Sequence, residues 1–217
     1  MSWKPLFWLT EQMSKKPLFN REKQLLKEFD LVFGMDEVGR GCFAGPIVAA
    51  AVHFDRSYLW FKNINDSKLL THKKRKRLSS LVLKYGICFI EIIEVETINE
   101  IGIGECNKKI FENLIKEINK GYKNKKIYFL IDGNKKGIGY KNLEYIIKGD
   151  RKHISIAAAS IIAKVYRDEL MKRMGKIYKG YNFGKNKGYG TRYHQNAIKK
   201  LGLCELHRKS FKLEKFL

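Results

Sequence analysis

The chain has 217 residues, of which 44 are Lys or Arg and 22 are Asp or Glu, so its formal net charge is +22 at pH 7. With 44% hydrophobic residues it can bury the core of one domain, and its charge favours a polyanionic partner, either nucleic acid or an anionic membrane. No uncharged run reaches the roughly 18 apolar residues of a membrane span, no signal-peptide pattern is present, and the four cysteines form no Cys-x-x-Cys pair. We therefore expect a cytoplasmic protein with reduced thiols.

The first 30 residues are rich in lysine and contain the tetrapeptide Lys-Pro-Leu-Phe twice, at 4–7 and 16–19. A chance repeat is favoured over a docking segment, because short matches arise easily. The sequence predicts a loosely ordered leader over 1–30 and one domain over 31–217 with a basic helical C-terminal region.

From residue 31 onward, apolar runs alternate with amphipathic segments. The predicted strands are 31–35, 47–54, 87–95, 127–131 and 145–147, and the predicted helices are 72–84, 97–119, 154–174 and 192–201. The first two strands flank a glycine-rich turn, so we expect them to pair. This alternation predicts an α/β fold in which helices cover a mixed central sheet.

Four carboxylates in this acid-poor chain lie at the ends of apolar strands: Asp36, Glu37, Asp132 and Asp150. Carboxylates at the ends of adjacent core strands meet at one edge of the sheet and repel one another unless cations bridge them. Oxygen ligands without His or Cys suit Mg²⁺ or Mn²⁺. Each acid alone is more often a turn residue, but the four together predict a divalent-cation site.

The tripeptide Gly39-Arg40-Gly41 follows the first two acids directly. Glycines allow backbone N–H groups to approach a phosphate or sugar, and Arg40 adds a charged donor. A tight turn is the alternative interpretation of the tripeptide alone.

The segment 34–52, Gly-Met-Asp-Glu-Val-Gly-Arg-Gly-Cys-Phe-Ala-Gly-Pro-Ile-Val-Ala-Ala-Ala-Val, closely resembles the opening motif of the ribonuclease HII family. Later segments resemble further family motifs in the same order: 65–69 (Asn-Asp-Ser-Lys-Leu), 131–134 (Ile-Asp-Gly-Asn), 148–150 (Lys-Gly-Asp), 157–165 (Ala-Ala-Ala-Ser-Ile-Ile-Ala-Lys-Val), 187–191 (Lys-Gly-Tyr-Gly-Thr) and 207–211 (His-Arg-Lys-Ser-Phe). The resemblance covers about 31–211. The chain departs from the pattern at 98–102 and lacks the usual prolines at 135–139.

The resemblance implies a ribonuclease H-like α/β fold and cleavage of RNA within RNA/DNA hybrids, including single ribonucleotides embedded in duplex DNA. The acidic active-site positions of the family fall on Asp36, Glu37, Asp132 and Asp150, the same four acids that the strand ends selected. The resemblance also implies that Gly39–Gly41 and Tyr189 recognise the junction between ribonucleotide and deoxyribonucleotide, where the 2′-hydroxyl is the natural discriminator.

The chemistry that fits is hydrolysis with two divalent cations, leaving 5′-phosphate and 3′-hydroxyl ends. We expect Asp36, Glu37 and Asp132 to bind the metals, and Asp150 to serve the second metal or orient the water. A non-catalytic basic nucleic-acid-binding protein is the alternative. It explains the charge equally well, but not the acids at the strand ends. We expect a monomer without membrane contact. Either terminus could bind a sliding clamp, but no motif indicates one.

Other residues carry weaker hypotheses. Ser160 and Lys164 lie four positions apart on one predicted helix and share a face that could contact a backbone phosphate, although close packing is an equal alternative for Ser160. Asp168 is more simply an exposed or salt-bridged helix acid. His194 and His207 are predicted to be surface or phosphate-facing residues, and Tyr189 has core packing as its alternative to stacking on a base or sugar.

Overall fold

The computed structural model describes residues 16–135 and 137–216 and contains a five-stranded mixed sheet covered by helices on both faces. The strands are β1 (Leu31–Val38), β2 (Ile47–His53), β3 (Ile87–Ile93), β4 (Ile127–Asp132) and β5 (Leu143–Ile146). The helices are α1 (Asn20–Leu25), α2 (His72–Tyr85), α3 (Val95–Gly121), α4 (Ile154–Ile177), α5 (Phe183–Asn186) and α6 (Arg192–Leu201). The predicted α/β fold with a mixed central sheet is confirmed.

The strand order is β3-β2-β1-β4-β5, with β1 and β2 antiparallel, as are β2 and β3, and with β4 parallel to both β1 and β5. The expected pairing of the first two strands is confirmed. Because β1 and β4 are parallel, their carboxyl ends lie at the same edge of the sheet. Met35 pairs with Ile131, so the acid that follows each of them lies at that edge.

Alternate residues of β1 and β2 point to opposite faces, as the two-residue period of a strand requires. Phe33, Met35 and Ala49 pack under α3, whereas Val48 and Ala50 pack under α4. Gly34 allows α4 to lie directly on β1, since a Cβ atom there would fall 2.3 Å from the backbone of Ser155 and Ile156. This close contact fixes the height of α4 above the acidic edge.

Helix α3 is broken near its start at Gly102, whose backbone angles are φ 77° and ψ 159°. A left-handed φ of this size strains residues with a side chain, so glycine suits the break. The helix is predicted as one unbroken segment from the apolar period alone. That period does not register the change of direction at Gly102.

Residues 16–30, which fall within the expected leader, pack against the domain. Glu22 of α1 is buried, and its Oε1 accepts hydrogen bonds from the backbone N–H of Ser155 (2.9 Å) and from Ser155 Oγ (2.8 Å) at the first turn of α4. Leu18 pairs with His153, and the two N–H groups of Leu18 and Ile154 complete a short bridge. The first half of the expected leader lies outside the described residues.

Candidate active site

Four carboxylates meet at the carboxyl edge of the sheet. Asp36 and Glu37 lie near the end of β1, and Asp132 is the last residue of β4 and pairs with Ile146 of β5. Asp150 follows β5 in a short 3-10 turn, Gly149–Arg151. The sheet topology thus gathers the acids that the sequence places at three separate strand ends.

The charges of these carboxylates act on one another. Burial raises the pKa of Asp36 well above its usual value, and the charges of Glu37, Asp132 and Asp150 raise it further, while a hydrogen bond from Ser160 lowers it. Burial also raises the pKa of Asp150, with a further contribution from Asp132. The neighbouring carboxylates therefore oppose the ionisation of Asp36 and Asp150, as expected of an anionic cluster in a partly desolvated site.

Backbone hydrogen bonds hold two of the acids in place. Asp36 Oδ1 accepts a hydrogen bond from the N–H of Glu37 at 2.8 Å, and Asp132 Oδ1 accepts one from the N–H of Gly149 at 2.6 Å. The second bond ties the end of β4 to the turn that carries Asp150. A Cβ atom on Gly149 would lie 3.3 Å from Asp132 Oδ1 and 2.6 Å from Ile156 Cδ1, so a side chain at this position would displace Ile156.

The donor set fits a hard divalent cation. Every candidate ligand is a carboxylate oxygen, and mutual repulsion within a buried cluster is the arrangement that a bound cation relieves. Within 16–135 and 137–216, no three His, Cys, Asp or Glu side chains are placed closely enough together to hold a metal ion. The carboxylates instead make the backbone hydrogen bonds just described.

The Gly39–Gly41 loop lies beside these acids and contacts the Tyr189 segment. Arg40 Nη1 lies 3.4 Å from Glu37 Oε1, and its side chain is 59% exposed. Cys42 and Tyr189 form an isolated β-bridge, which brings the loop and the tyrosine together. The Tyr189 side chain is half-buried with 39% exposure, and burial raises the pKa of its hydroxyl to about 12, so the phenol stays protonated at neutral pH.

Two buried arginines, which the sequence analysis missed, fix this loop. Arg208 donates to the carbonyl oxygens of Gly45 and Arg40, at 2.7–2.9 Å, and burial lowers its pKa to about 10. Arg167 donates to the carbonyls of Pro46, Lys187 and Ala44. Their partners are backbone carbonyls more than 100 residues away in most cases, so no local sequence pattern marks either arginine.

Ser160 and Lys164 lie on one face of α4, as predicted, and both reach the candidate site. Ser160 is buried, hydrogen-bonds Asp36, and its Oγ lies 2.9 Å from Ser67 Oγ. Lys164 Nζ lies 2.8 Å from Asp168 Oδ1 and 5.7 Å from the centre of the Tyr189 ring. Asp168 is therefore a buried helix acid in a salt bridge. Of the two alternatives, exposed or salt-bridged, the structure shows the second.

The prediction that His194 and His207 are surface or phosphate-facing residues is wrong. Both are fully buried, and their Nε2 atoms lie 3.1 Å apart. The N–H of Cys204 donates to His207 Nδ1, and His194 Nδ1 lies 2.9 Å from the carbonyl oxygen of Tyr189. This series of hydrogen bonds is satisfied when both rings are neutral. His207 Nε2–H then donates to His194 Nε2, and His194 Nδ1–H donates to the carbonyl oxygen of Tyr189.

This histidine pair links the C-terminal segment to Tyr189. Burial lowers the pKa of both rings, and the neighbouring His194 lowers that of His207 further, to about 4. Every ring nitrogen already has a partner, so an added proton would set two N–H groups against each other. No local sequence pattern indicates this pair, because its members lie 13 residues apart on separate segments.

Comparison with known proteins gives a consistent result. The family model described as ribonuclease HII matches residues 33–214. The chain is 44% identical over 208 residues to a ribonuclease HII of Fusobacterium nucleatum, covering 94% of each chain, and 45% identical over 190 residues to that of Borreliella burgdorferi, covering 84% of this chain and 99% of the relative.

Solved structures share the fold. The ribonuclease HII of an Archaeoglobus fulgidus complex with PCNA superposes with a TM-score of 0.68 at 23% identity, covering 82% of this chain and 93% of that one. A Bst ribonuclease HIII solved in complex with Mn²⁺ gives a TM-score of 0.67 at 21% identity, covering 86% and 68% of the two chains.

Proposed function

The chain belongs to the ribonuclease HII family and is a ribonuclease H, and we propose that it cleaves the RNA strand of RNA/DNA hybrids and incises duplex DNA at embedded ribonucleotides. The observation that carries this proposal is the cluster of Asp36, Glu37, Asp132 and Asp150 at one sheet edge of a chain with a net charge of +22. A protein that only binds polyanions gains nothing from placing acids where its partner must approach.

We assign Asp36, Glu37 and Asp132 as ligands of Mg²⁺ or Mn²⁺, with two cations per site during turnover, and assign Asp150 to the second metal or to the attacking water. When bound, such cations supply an activated water and charge stabilisation at the scissile phosphate, which leaves 5′-phosphate and 3′-hydroxyl ends. A relative of the same fold was solved with Mn²⁺, which supports a divalent cation without choosing between the two.

The residues of this chain position the substrate around that site. Asp36 is held by Ser160 and by the backbone of β1, so its carboxylate has one preferred orientation. The Gly39–Gly41 loop and Tyr189 lie together across a β-bridge, and we assign them to recognition of the ribonucleotide. The protonated Tyr189 hydroxyl can donate a hydrogen bond, and its exposed ring can stack on a sugar or base.

The basic residues are concentrated in two stretches. The sequence from 68 to 84 contains seven Lys or Arg and no acid, and 171–217 contains 13 Lys or Arg and two acids. We assign both stretches to the phosphate backbone of the duplex, where they contribute salt-dependent affinity and little sequence selectivity. Ser160 and Lys164 are assigned to a backbone phosphate close to the acids.

Cleavage of a duplex that carries one ribonucleotide, with the cut mapped, tests this proposal. We expect incision on the 5′ side of the ribonucleotide in the presence of Mg²⁺ or Mn²⁺, and none after addition of EDTA. Binding of the same duplex without cleavage under any of these conditions would favour the non-catalytic alternative.

Several finer assignments remain predictions. No helix in the described part of the chain has the length and apolar character of a membrane span. The cytoplasmic location, the monomeric state and the lack of membrane contact were expected from sequence alone. The Archaeoglobus protein was solved with PCNA, and this chain contains no motif that indicates a sliding clamp.

A further inference from the structure

The loop over 65–70, which precedes α2, is fixed against the acidic cluster at two points. Arg75 of α2 donates to the carbonyl oxygen of Ser67 from Nη2 at 2.7 Å and from Nε at 2.9 Å. Ser67 Oγ lies 2.9 Å from Ser160 Oγ, and Ser160 in turn hydrogen-bonds Asp36. The backbone of this loop is therefore a rigid support beside the carboxylates.

Asp66 connects this loop to the turn that carries Asp150. Its side chain is fully buried, and its Oδ2 accepts a hydrogen bond from Arg151 Nε at 3.1 Å and lies 3.0 Å from Arg151 Nη2. Burial and neighbouring carboxylates, Asp66 among them, raise the pKa of Asp150, whereas the charge of Arg151 lowers it. On the other side of Asp150 in the chain, the N–H of Gly149 is bonded to Asp132. Asp150 is therefore held through both of its neighbours in sequence.

The 65–70 loop itself does not need the charge of Asp66. Within the loop, Asp66 Oδ1 accepts a hydrogen bond from the N–H of Lys68 at 2.9 Å, a turn that asparagine makes equally well. Burying a carboxylate is costly, and an ion pair with an arginine that is 54% exposed adds little to stability in return. Neither the turn nor stability explains a buried charge at this position, whereas holding Arg151 beside Asp150 does.

We propose that Asp66 is a positioning residue, which acts through Arg151 to keep the Asp150 carboxylate in one orientation during cleavage. This inference rests on the proposed function and deepens it, because Asp66 contributes to the reaction without contacting the substrate. Asp66 and Arg151 then form one unit, so removing either member costs as much as removing both.

The test is a cycle of Asp66→Asn, Arg151→Met and the double variant, assayed for cleavage of an RNA/DNA hybrid with saturating Mg²⁺ or Mn²⁺. Asp66→Asn keeps the shape and the acceptor for the Lys68 N–H, but it directs an N–H group toward Arg151. We expect all three variants to have a kcat about tenfold below that of the wild type, with KM within about twofold. Independent contributions would multiply to a loss of about a hundredfold in the double variant and would overturn the proposal.

A binding measurement separates positioning from a direct contact of Arg151 with a phosphate. The dissociation constant of the hybrid is measured by fluorescence anisotropy without divalent cations, so that no cleavage occurs. All three variants should stay within about twofold of the wild type. A salt-dependent loss of affinity in Arg151→Met would show that Arg151 itself binds the backbone, and the positioning role would fail.

Asp55 and Arg56 provide a matched control at the opposite edge of the sheet. Arg56 Nε lies 3.9 Å from Asp55 Oδ2, and both side chains are exposed. Because they follow β2, whose end pairs with the start of β1, they lie far from the acidic cluster. Asp55→Asn and Arg56→Met should leave kcat within about twofold, and a tenfold loss in either would overturn the proposal.

Melting temperatures show that the variants are folded. Arg151 is half-exposed, so Arg151→Met should melt within about 4 °C of the wild type and keeps the test valid if Asp66→Asn does not fold. Wild-type cleavage with unchanged kcat in Asp66→Asn and Arg151→Met would refute the positioning role alone. Absence of cleavage by the wild type would instead refute the proposed function.

Discussion

Acidification should destabilise this protein through its buried histidine pair. His207 has a pKa of about 4 in the folded chain against 6.5 for an unperturbed histidine, so between these values the unfolded chain binds more protons than the folded one. The stabilising contribution of the neutral ring is therefore fully present above pH 6.5 and is lost as the pH falls toward 4. A difference of roughly 2.5 pKa units corresponds to about 3 kcal/mol, and His207 is fully buried, so solvent does not screen this value.

The assay is urea unfolding of the wild type and of His207→Gln at pH 8, 7, 6 and 5. Glutamine retains a donor toward His194 but loses the acceptor for the Cys204 N–H, so the variant should be about 1–3 kcal/mol less stable at pH 8. The free energy of unfolding of the variant should then fall less steeply below pH 7 than that of the wild type. The difference between the two proteins should be smaller at pH 5 than at pH 8 by at least about 1 kcal/mol.

Comparing the wild type with His207→Gln removes the contribution of the acidic cluster, which changes the free energy of unfolding with pH in the opposite direction. Asp36 has a raised pKa in the folded chain, so protonation of this residue adds stability as the pH falls, equally in both proteins. His72→Gln, at an exposed position of α2, serves as the control. If the difference in free energy of unfolding between the wild type and His207→Gln stays constant from pH 8 to pH 5, the buried histidine pair does not titrate as the structure requires.

Three further substitutions have defined outcomes. Asp36→Asn should lower hybrid cleavage at least about a thousandfold, equivalent to about 4 kcal/mol of transition-state stabilisation, with hybrid affinity within about threefold of the wild type in a binding assay. Retained turnover would refute the assignment. Arg208→Met leaves the carbonyls of Arg40 and Gly45 buried without their donor and should reduce the free energy of unfolding by about 2–4 kcal/mol in urea; a loss below about 1 kcal/mol would contradict the argument. Gly34→Ala places a Cβ atom 2.3 Å from the backbone of α4 and should destabilise the fold by about 3 kcal/mol or more, seen as a lower melting temperature, and an unchanged value would refute the close packing.

The strands and helices were largely predictable because their apolar periods are local. The strands β1 and β4 are short, nearly continuous apolar runs, as expected of strands buried on both faces, so 31–35 and 127–131 were located from the chain alone. The break of α3 at Gly102 was missed because the apolar period continues across it. The helix α1 was missed because 20–25 offers too few apolar residues to show a period.

The acidic cluster was predictable for a related reason. An acid after an apolar strand is visible in the sequence, and the parallel pairing of β1, β4 and β5 then places three strand ends together without further information. The supports of Tyr189 and of the Gly39–Gly41 loop were not predictable. Arg208 binds backbone carbonyls, which every residue has, and nothing in its own segment indicates which ones.

The carboxylates and the Gly39–Gly41 loop with Tyr189 are held in place by different parts of the chain, and this implies that the two halves of the site have separate functions. The carboxylates are fixed by the sheet and by local backbone hydrogen bonds such as that of Asp132 with Gly149. The Gly39–Gly41 loop and Tyr189 depend instead on Arg208, Arg167 and the histidine pair, which belong to α4 and the C-terminal segment. Conservative substitutions in the C-terminal segment should therefore alter the preference between embedded ribonucleotides and long hybrids before they alter the chemical step. A variant such as His194→Gln should change the ratio of cleavage rates on the two substrates, and an equal loss on both would show that the two halves are not separable.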